Sequence, residues 1–327
     1  MTYRQPAEWA PHDWVWIGFP SNPAEWPDAF DDARRQVAAF ANHVHAGGEG
    51  EEVRLVASDA ASAHAARALV DDGVIVQSLP FGDVWLRDTG PIAVKDGDAR
   101  ALADFDFNGW GGSYDMPGDR DIGALLAAQT DFTCAKNHWI FEGGAVDTDG
   151  TGLAVTTEQC LLNPNRNPAL DRRKIETLLA GSLGYSDILW LGEGLVNDHT
   201  DGHVDNLARF VGEGLLAIPE PAGQDDPNAA IYADAKARAR AFGLEVVAIP
   251  SPGLVRRDGD IIPASYMNFY IGNAVVVVPQ YGQPNDQAAL DALQPFFPGR
   301  KIAGLMSDAI LTGGGSFHCI SQQMPSI

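Results

Sequence analysis

Apolar residues along this chain fall into short runs with the period or continuity of strands, divided by turn residues and by a few longer stretches with helical spacing. Within 143–157, Ala-Val-Asp-Thr-Asp-Gly-Thr-Gly-Leu-Ala-Val predicts two short strands about an Asp-Gly turn. A helix over 169–182 and a strand over 188–191 follow. The same order returns after His203: strand 206–211, a Gly-Glu-Gly turn, strand 215–218, an Ala-rich helix over 227–242 and strand 244–249. It returns again as strands 268–271 and 274–278, helix 285–293 and strand 301–305. An earlier hairpin, 92–94 with 101–105, follows Asp88, and the last unit is expected to close on the N-terminal strand 15–19. This spacing is close to one fifth of the chain, which predicts five modules of one supersecondary pattern around a centre. The hairpins inside the units argue against an all-parallel, doubly wound sheet. No low-complexity linker interrupts them, so residues 1–327 are read as one α/β domain.

Charge narrows the range of partners. With 327 residues and a formal net charge of -22, the chain can bury a large core and repels nucleic-acid phosphate, while its field draws small cations into a cleft. The N-terminus has no basic region followed by an apolar one, and no apolar run is long enough to span a bilayer, so a cytoplasmic protein with no membrane partner is expected. Its cysteines, Cys134, Cys160 and Cys319, are too few and too scattered for a disulfide framework and read as free thiols.

Cys319 ends the run Leu-Thr-Gly-Gly-Gly-Ser-Phe-His-Cys at 311–319. Three glycines, with Gly314 at their centre, let backbone approach a ligand, and a thiol behind them is a candidate nucleophile. The loops opening the other units hold Asp88, Glu142 and His203 with Asp205. His203 and Asp205 are two residues apart and would share one face of an extended segment. Two carboxylates can grip a planar guanidinium from opposite sides. The delocalised charge makes the guanidinium carbon a poor electrophile, so attack needs a strong nucleophile held in line, which a Cys319 thiolate would supply. His203 would protonate the departing ammonia and then activate water against the covalent thiouronium, with no cofactor. Glu142 is a candidate to orient His203.

Each residue has a plainer reading. A Cys is often a small buried hydrophobe, the reading retained for Cys134 and Cys160. Trp85 and Trp110 could wall a slot for an alkyl chain or simply fill the core. Asn108, Gly111 and Gly112 in Phe-Asn-Gly-Trp-Gly-Gly read as turn chemistry first and substrate contacts second. The glycine runs lack the Gly-Lys-Ser/Thr of a phosphate loop. A metal alternative would use His199 and His203 with Asp201 and Asp205, but Gly202 between them argues against the helix that would align the imidazoles.

Seven motifs in order carry a family resemblance: Pro-Ala-Glu-Trp-Ala-Pro-His at 6–12, Trp-Leu-Arg-Asp-Thr-Gly-Pro at 85–91, Phe-Asn-Gly-Trp-Gly-Gly at 107–112, Glu-Gly-Gly at 142–144, Gly-His-Val-Asp-Asn at 202–206, Ala-Ser-Tyr-Met-Asn-Phe-Tyr-Ile at 264–271 and Gly-Gly-Gly-Ser-Phe-His-Cys-Ile-Ser-Gln-Gln-Met-Pro at 313–325. With them the chain resembles the agmatine deiminases, relatives of bacterial peptidyl-arginine deiminases among the guanidino-group-modifying enzymes. The resemblance implies a five-bladed α/β propeller of pseudo-fivefold symmetry, the pentein type, acting in polyamine formation and commonly oligomeric, here a homodimer. It implies Cys319 as nucleophile, His203 as general acid and base, Asp88 and Asp205 as guanidinium anchors, and Glu142 as the partner of His203. Trp85, Asn108, Trp110 and Gly314 are the further substrate-contact candidates. Thr200-Asp201-Gly202-His203 and Ile218-Pro219-Glu220-Pro221 depart from the family's Thr-Asn-Gly-His and Trp-Thr-Asp-Asp. These departures direct attention to the substrate tail, with peptidyl arginine and other alkylguanidines as alternatives to agmatine; amidinotransfer to an amine and a cation-binding module without turnover are the remaining readings.

Overall fold

The computed structural model describes residues 3–97, 99–114 and 116–326. Among these residues it is an α/β protein whose strands form six sheets, one of them the small pair Arg256–Arg257 and Asp260–Ile261. The other sheets repeat one plan, in which a central strand pairs antiparallel with one neighbour and parallel with the next, the parallel connection running through a helix or a longer excursion. Val146–Thr148, Leu153–Thr157 and Asp187–Leu191 follow it, as do Arg209–Gly212, Leu215–Glu220 and Glu245–Pro250. Tyr270–Ile271, Val275–Gln280 and Lys301–Met306 repeat it, and Ile92–Asp96, Ala99–Asp106 and Thr133–Ile140 form the same unit extended by Tyr3–Arg4. The remaining sheet joins the two ends of the chain: Ser321–Pro325 lies antiparallel to His12–Gly18, which continues parallel into Glu52–Ala57 and Ile75–Ser78.

Local chemistry sets the crossover helices. Asp171 accepts from the Lys174 N–H and caps Arg172–Leu183, and Gly184, at φ 79°, ends it where a side chain would be strained. Ile175 and Leu179 face inward from that helix, as Tyr232, Ala235 and Ala239 do from Ala229–Phe242, each set at helical spacing. Burying one such large aliphatic side chain contributes about 1.5–3 kcal/mol. Apolar clusters fill the spaces between sheets and helices, so the sheet ends are held rigidly relative to one another.

Helix and strand boundaries fall close to the expected ones, with three corrections. The expected strand 206–211 begins only at Arg209, because Val204–Asn206 is a tight turn in which the Val204 carbonyl accepts from Leu207 and Ala208 N–H. His203 and Asp205 therefore meet the site across a turn, not along one extended face. Ser321–Pro325 was not expected as a strand, its Gln-Gln pair hiding the pattern; Gln322 is buried against Arg87, accepting from Nη1 at 3.2 Å. Cys134, expected in the core, is exposed on the edge strand Thr133–Ile140, where only one neighbouring strand covers it.

Candidate active site

In each of the five repeated units the segment just before the first hairpin strand carries polar side chains inward. Asp88 precedes Ile92–Asp96, Glu142 and Gly144 precede Val146–Thr148, and His203 and Asp205 precede Arg209–Gly212. Asn268 precedes Tyr270–Ile271 and Cys319 precedes Ser321–Pro325. All five of the proposed catalytic residues from the sequence are buried and are brought together.

Asn268 grips Cys319 from both ends: its Nδ2 donates to Sγ at 3.0 Å and its Oδ1 accepts the Cys319 N–H at 3.2 Å. The thiol itself donates to Asp205 Oδ2 at 3.4 Å. Burial pushes this thiol well above its ordinary pKa, and the charges of Asp205 and Asp88 push it further. Burial alone would also raise Asp205, but the His318 ring, 2.7 Å from Oδ2, together with His203 and Arg209 holds Asp205 low. Asp205 Oδ1 is buried with no hydrogen-bond partner. Asp88 accepts from the Gly144 N–H and from Trp110 Nε1, both at 2.9 Å. Burial raises its pKa, with His203 opposing and Asp205 adding to the rise.

His203 stands between two carboxylates, with Nδ1 3.7 Å from Asp88 Oδ1 and Nε2 3.9 Å from Glu142 Oε2. Burial would lower the imidazole, yet the Asp88 carboxylate first, then Cys160 and Glu142, hold it well above its ordinary value. The Glu142 carboxylate and the Cys160 thiol lie close to the ring, their ligand atoms within 4.8 Å of one another and of His203. Glu142 is fixed by Arg166, whose Nε lies 3.1 and 3.3 Å from its two oxygens. Burial would raise Glu142, and His203 with Arg166 brings it below its usual range. Arg166 also binds Asp201 and donates to the Thr200 carbonyl at 2.8 Å, tying the His203 loop to Glu142.

Gly144 lies at the centre of this cluster. A Cβ there would sit 2.7 Å from His203 Nδ1, 2.8 Å from Asp88 Oδ1 and 3.1 Å from Asp205 Oδ2. A Gly144→Ala variant should fold and yet lose about 100-fold in kcat/KM, since small displacements of reacting groups cost that much. Steady-state kinetics alongside a melting curve checks it; a fully active variant would show that these three side chains need not hold their positions.

A cavity opens onto this cluster. Cys319 and Asp88 lie at its buried end with Trp85 and Trp110, and the exposed Tyr114 and His199 lie at its outer end. Gly313, Gly314 and Gly315 line it with backbone. A Cβ on Gly315 would stand 2.7 Å from the Trp85 ring and 3.1 Å from Cys319 Sγ, so the glycine there keeps the Cys319 thiol accessible. Glu25 and Asp83 provide two more carboxylates. Burial pushes Asp83 up to about 7, with Asp119 and Glu25 adding to the rise against the Val84 N–H and Trp85.

Asp205, His203 and Glu142 adjoin Cys319 and Asp88 at the buried end without lining the cavity, and Asn108 does not line it either. Asn108 uses its side chain on the Gly111 N–H and the Asn165 carbonyl, both at 2.9 Å, which is the turn role. The 218–221 stretch, whose departure from the family pattern pointed to the tail, does not line the cavity either; Thr200 does. The metal alternative does not assemble, because His199 meets Tyr114 at 3.2 Å and Asp201 is paired with Arg166. Among the described residues the one compact set of His, Cys and carboxylate groups is Glu142, Cys160 and His203, with ligand atoms within 4.8 Å of each other. Arg166 already supplies the cation there. Cys160 is thus a neighbour of His203, a placement its plain core reading missed, as were Asn268, His318, Arg166 and Asp83. Asn268 alone had a sequence signal, its place in the fourth repeat of the loop-then-strand order.

Comparison with known proteins agrees with this geometry. The profile of the Porphyromonas-type peptidyl-arginine deiminase family matches residues 4–325. Agmatine deiminases of Stutzerimonas stutzeri and Pseudomonas aeruginosa are 38% and 36% identical to the chain, in each case over 99% of it and 96% of the relative. The structure of the Enterococcus faecalis agmatine deiminase superposes with a TM-score of 0.93 at 31% identity, covering 99% of this chain and 96% of that one. Fold and relatives define the class as a hydrolytic enzyme of C–N bonds, a deiminase. Within that class the chain belongs to the Porphyromonas-type peptidyl-arginine deiminase family, on the side of its agmatine deiminase-like members. No helix among the described residues is long and apolar enough to cross a membrane.

Proposed function

We propose that the protein deiminates agmatine to N-carbamoylputrescine and ammonia. The observation that carries this is a cavity ending on a cysteine beside the two carboxylates Asp88 and Asp205, with no Arg or Lys among the described residues that line it. Asp88 and Asp205 would hold the guanidinium from two sides while Cys319 faces its carbon. In the empty site the thiol keeps its proton, donated to Asp205; an arriving cation competes for that carboxylate and offsets the negative field, so the proton leaves to solvent and the thiolate forms where it is needed. Sulfur attacks the central carbon, His203 gives a proton to one amino nitrogen, and the C–N bond breaks to release ammonia. His203, now neutral, takes a proton from water as it adds to the thiouronium carbon. Collapse breaks the C–S bond, leaving the ureido product and Cys319.

The tail argues for agmatine over arginine. A primary ammonium would find Glu25 and Asp83 in the cavity, whereas the α-carboxylate of arginine or of a C-terminal arginyl peptide would meet those same charges without a lining cation. Ammonia release from agmatine, free arginine and a C-terminal arginyl peptide in parallel tests the reading: agmatine should lead by at least about 100-fold in kcat/KM. A preference for the peptide would move the activity to peptide citrullination. Because Asp83 gains its charge as pH rises through about 7, KM for agmatine should fall across that range. In Asp83→Asn that decrease should vanish, with KM raised about 10-fold and kcat little changed. A persisting slope in the variant would remove Asp83 from tail binding.

The same reading makes residues 1–327 one pentein-type propeller of pseudo-fivefold symmetry, supported by the five sheets of one plan. It includes a cytoplasmic homodimer serving putrescine formation, which light scattering tests for the oligomer.

A further inference from the structure

His318 immediately precedes the cysteine and is as deeply buried, yet the chemistry above does not use it. Its Nδ1 lies 2.7 Å from Asp205 Oδ2 and its Nε2 lies 2.9 Å from Glu8 Oε2. We propose that His318 is a positioning residue that fixes Asp205 and keeps it charged for the substrate cation, an assignment that rests on the guanidine reading above.

An ionised carboxylate only accepts hydrogen bonds. Both carboxylates flanking His318 are held below their usual range: burial opposes this, but Arg209, His318 and Arg87 prevail at Glu8, and His318, with His203 and Arg209, prevails at Asp205. With a carboxylate oxygen against each ring nitrogen, the ring has no freedom to rotate. Glu8 is anchored in turn, taking Arg209 Nη2 at 2.6 Å and the Ile271 N–H at 2.8 Å. A fixed line of groups, Arg209, Glu8, His318 and Asp205, thus runs from the sheet to the thiol. It occupies Asp205 through Oδ2 and leaves Oδ1 buried and without a partner, the acceptor a guanidinium N–H would complete.

The charges around Asp205 come from several elements. His203 and Arg209 face it from its own segment, Asp88 from the helix Leu86–Thr89, and His318 and Cys319 from the C-terminal loop. Around His318 stand Glu8, Asp205 and Asp147. Removing the His318 donor leaves Asp205 with Asp88 and the thiol as its nearest unfavourable neighbours, so Asp205 would take up a proton at higher pH.

Two substitutions separate the contacts. The amide nitrogen of Asn can take the place of Nδ1 and keep the bond to Asp205, while that of Gln takes the place of Nε2 and keeps only Glu8. Both replace the ring by an uncharged amide. For His318→Gln the acidic limb of kcat/KM should move up by about one pH unit, and for His318→Asn by less than about half of that. The same limb is read without turnover in the rate of Cys319 alkylation by chloroacetamidine, a cation that uses the guanidinium anchors. Limbs unmoved in both variants, or moved equally, overturn the proposal; a loss of activity uniform across pH is the mark of mere structural damage and counts as an unmoved limb. If the Gln variant fails to fold, a full shift in the Asn variant still overturns it. Wild-type protein that fails to hydrolyse agmatine while the alkylation limbs separate as expected would sink the substrate reading and leave His318 in place.

Discussion

Replacing Cys319 by Ser should reduce agmatine hydrolysis by at least about 10,000-fold while agmatine still binds. The hydroxyl fits the same place, within reach of Asn268 Nδ2 and Asp205 Oδ2, so the carboxylate anchors keep their arrangement. What it lacks is ionisation. Even the thiol is held well above its ordinary pKa by burial and by Asp205 and Asp88, and a bound cation can offset that only for a group whose proton is already weakly held. An alcohol starts several units higher and stays neutral. Ammonia release and calorimetric binding of agmatine by the variant give the two halves of the result. A Ser variant turning over at the wild-type rate would exclude the covalent route, and one that neither turns over nor binds would make Cys319 a structural group. The raised thiol also sets the reagent profile of the free enzyme. Neutral iodoacetamide should alkylate Cys319 slowly at neutral pH and faster only above the usual thiol range, because thiolate appears as pH rises past the elevated value.

The repeated order of loop, hairpin, helix and strand was readable because each crossover helix keeps its apolar spacing and each hairpin its turn residues, as in 143–157 and 285–293. Asp88, Glu142, His203, Asp205 and Cys319 were readable for a related reason: each stands in the loop that opens a unit, and equivalent loops of a repeat lie at equivalent sheet ends. What those residues do to one another was not readable. Asp205 enters on a tight turn set by the Val204 carbonyl, not on a strand. Arg166 reaches Glu142 across 24 residues and Asp201 across 35, and His318 reaches Glu8 across 310. No periodicity encodes such pairings, since they depend on which units the chain brings side by side. Cys134 shows the opposite error: a small apolar residue in a strand is core only when a second layer covers that face.

Asp88→Asn should lower kcat/KM for agmatine by about 1,000-fold, raising KM and lowering kcat together, because breaking one partner of a buried charge pair costs about 3–5 kcal/mol. The carboxylate uses one oxygen for the Gly144 N–H and the other for Trp110 Nε1. A carboxamide has a single acceptor, so its NH2 must face one of those donors, and the wall of the cavity loosens where the guanidinium should sit. The lost charge also reaches His203, whose raised pKa rests chiefly on Asp88 once burial has pulled it down. With that anion gone, the imidazolium releases its proton at lower pH, so the basic limb of the kcat profile should move down. Asp205→Asn offers the contrast: it removes the other proposed guanidinium anchor while leaving the Asp88 carboxylate, the stronger influence on His203, 3.7 Å away, so its basic limb should move down by much less. A basic limb that moves alike in the two variants would mean that the acid on that limb is not His203, and that the proton for the leaving ammonia comes from another group.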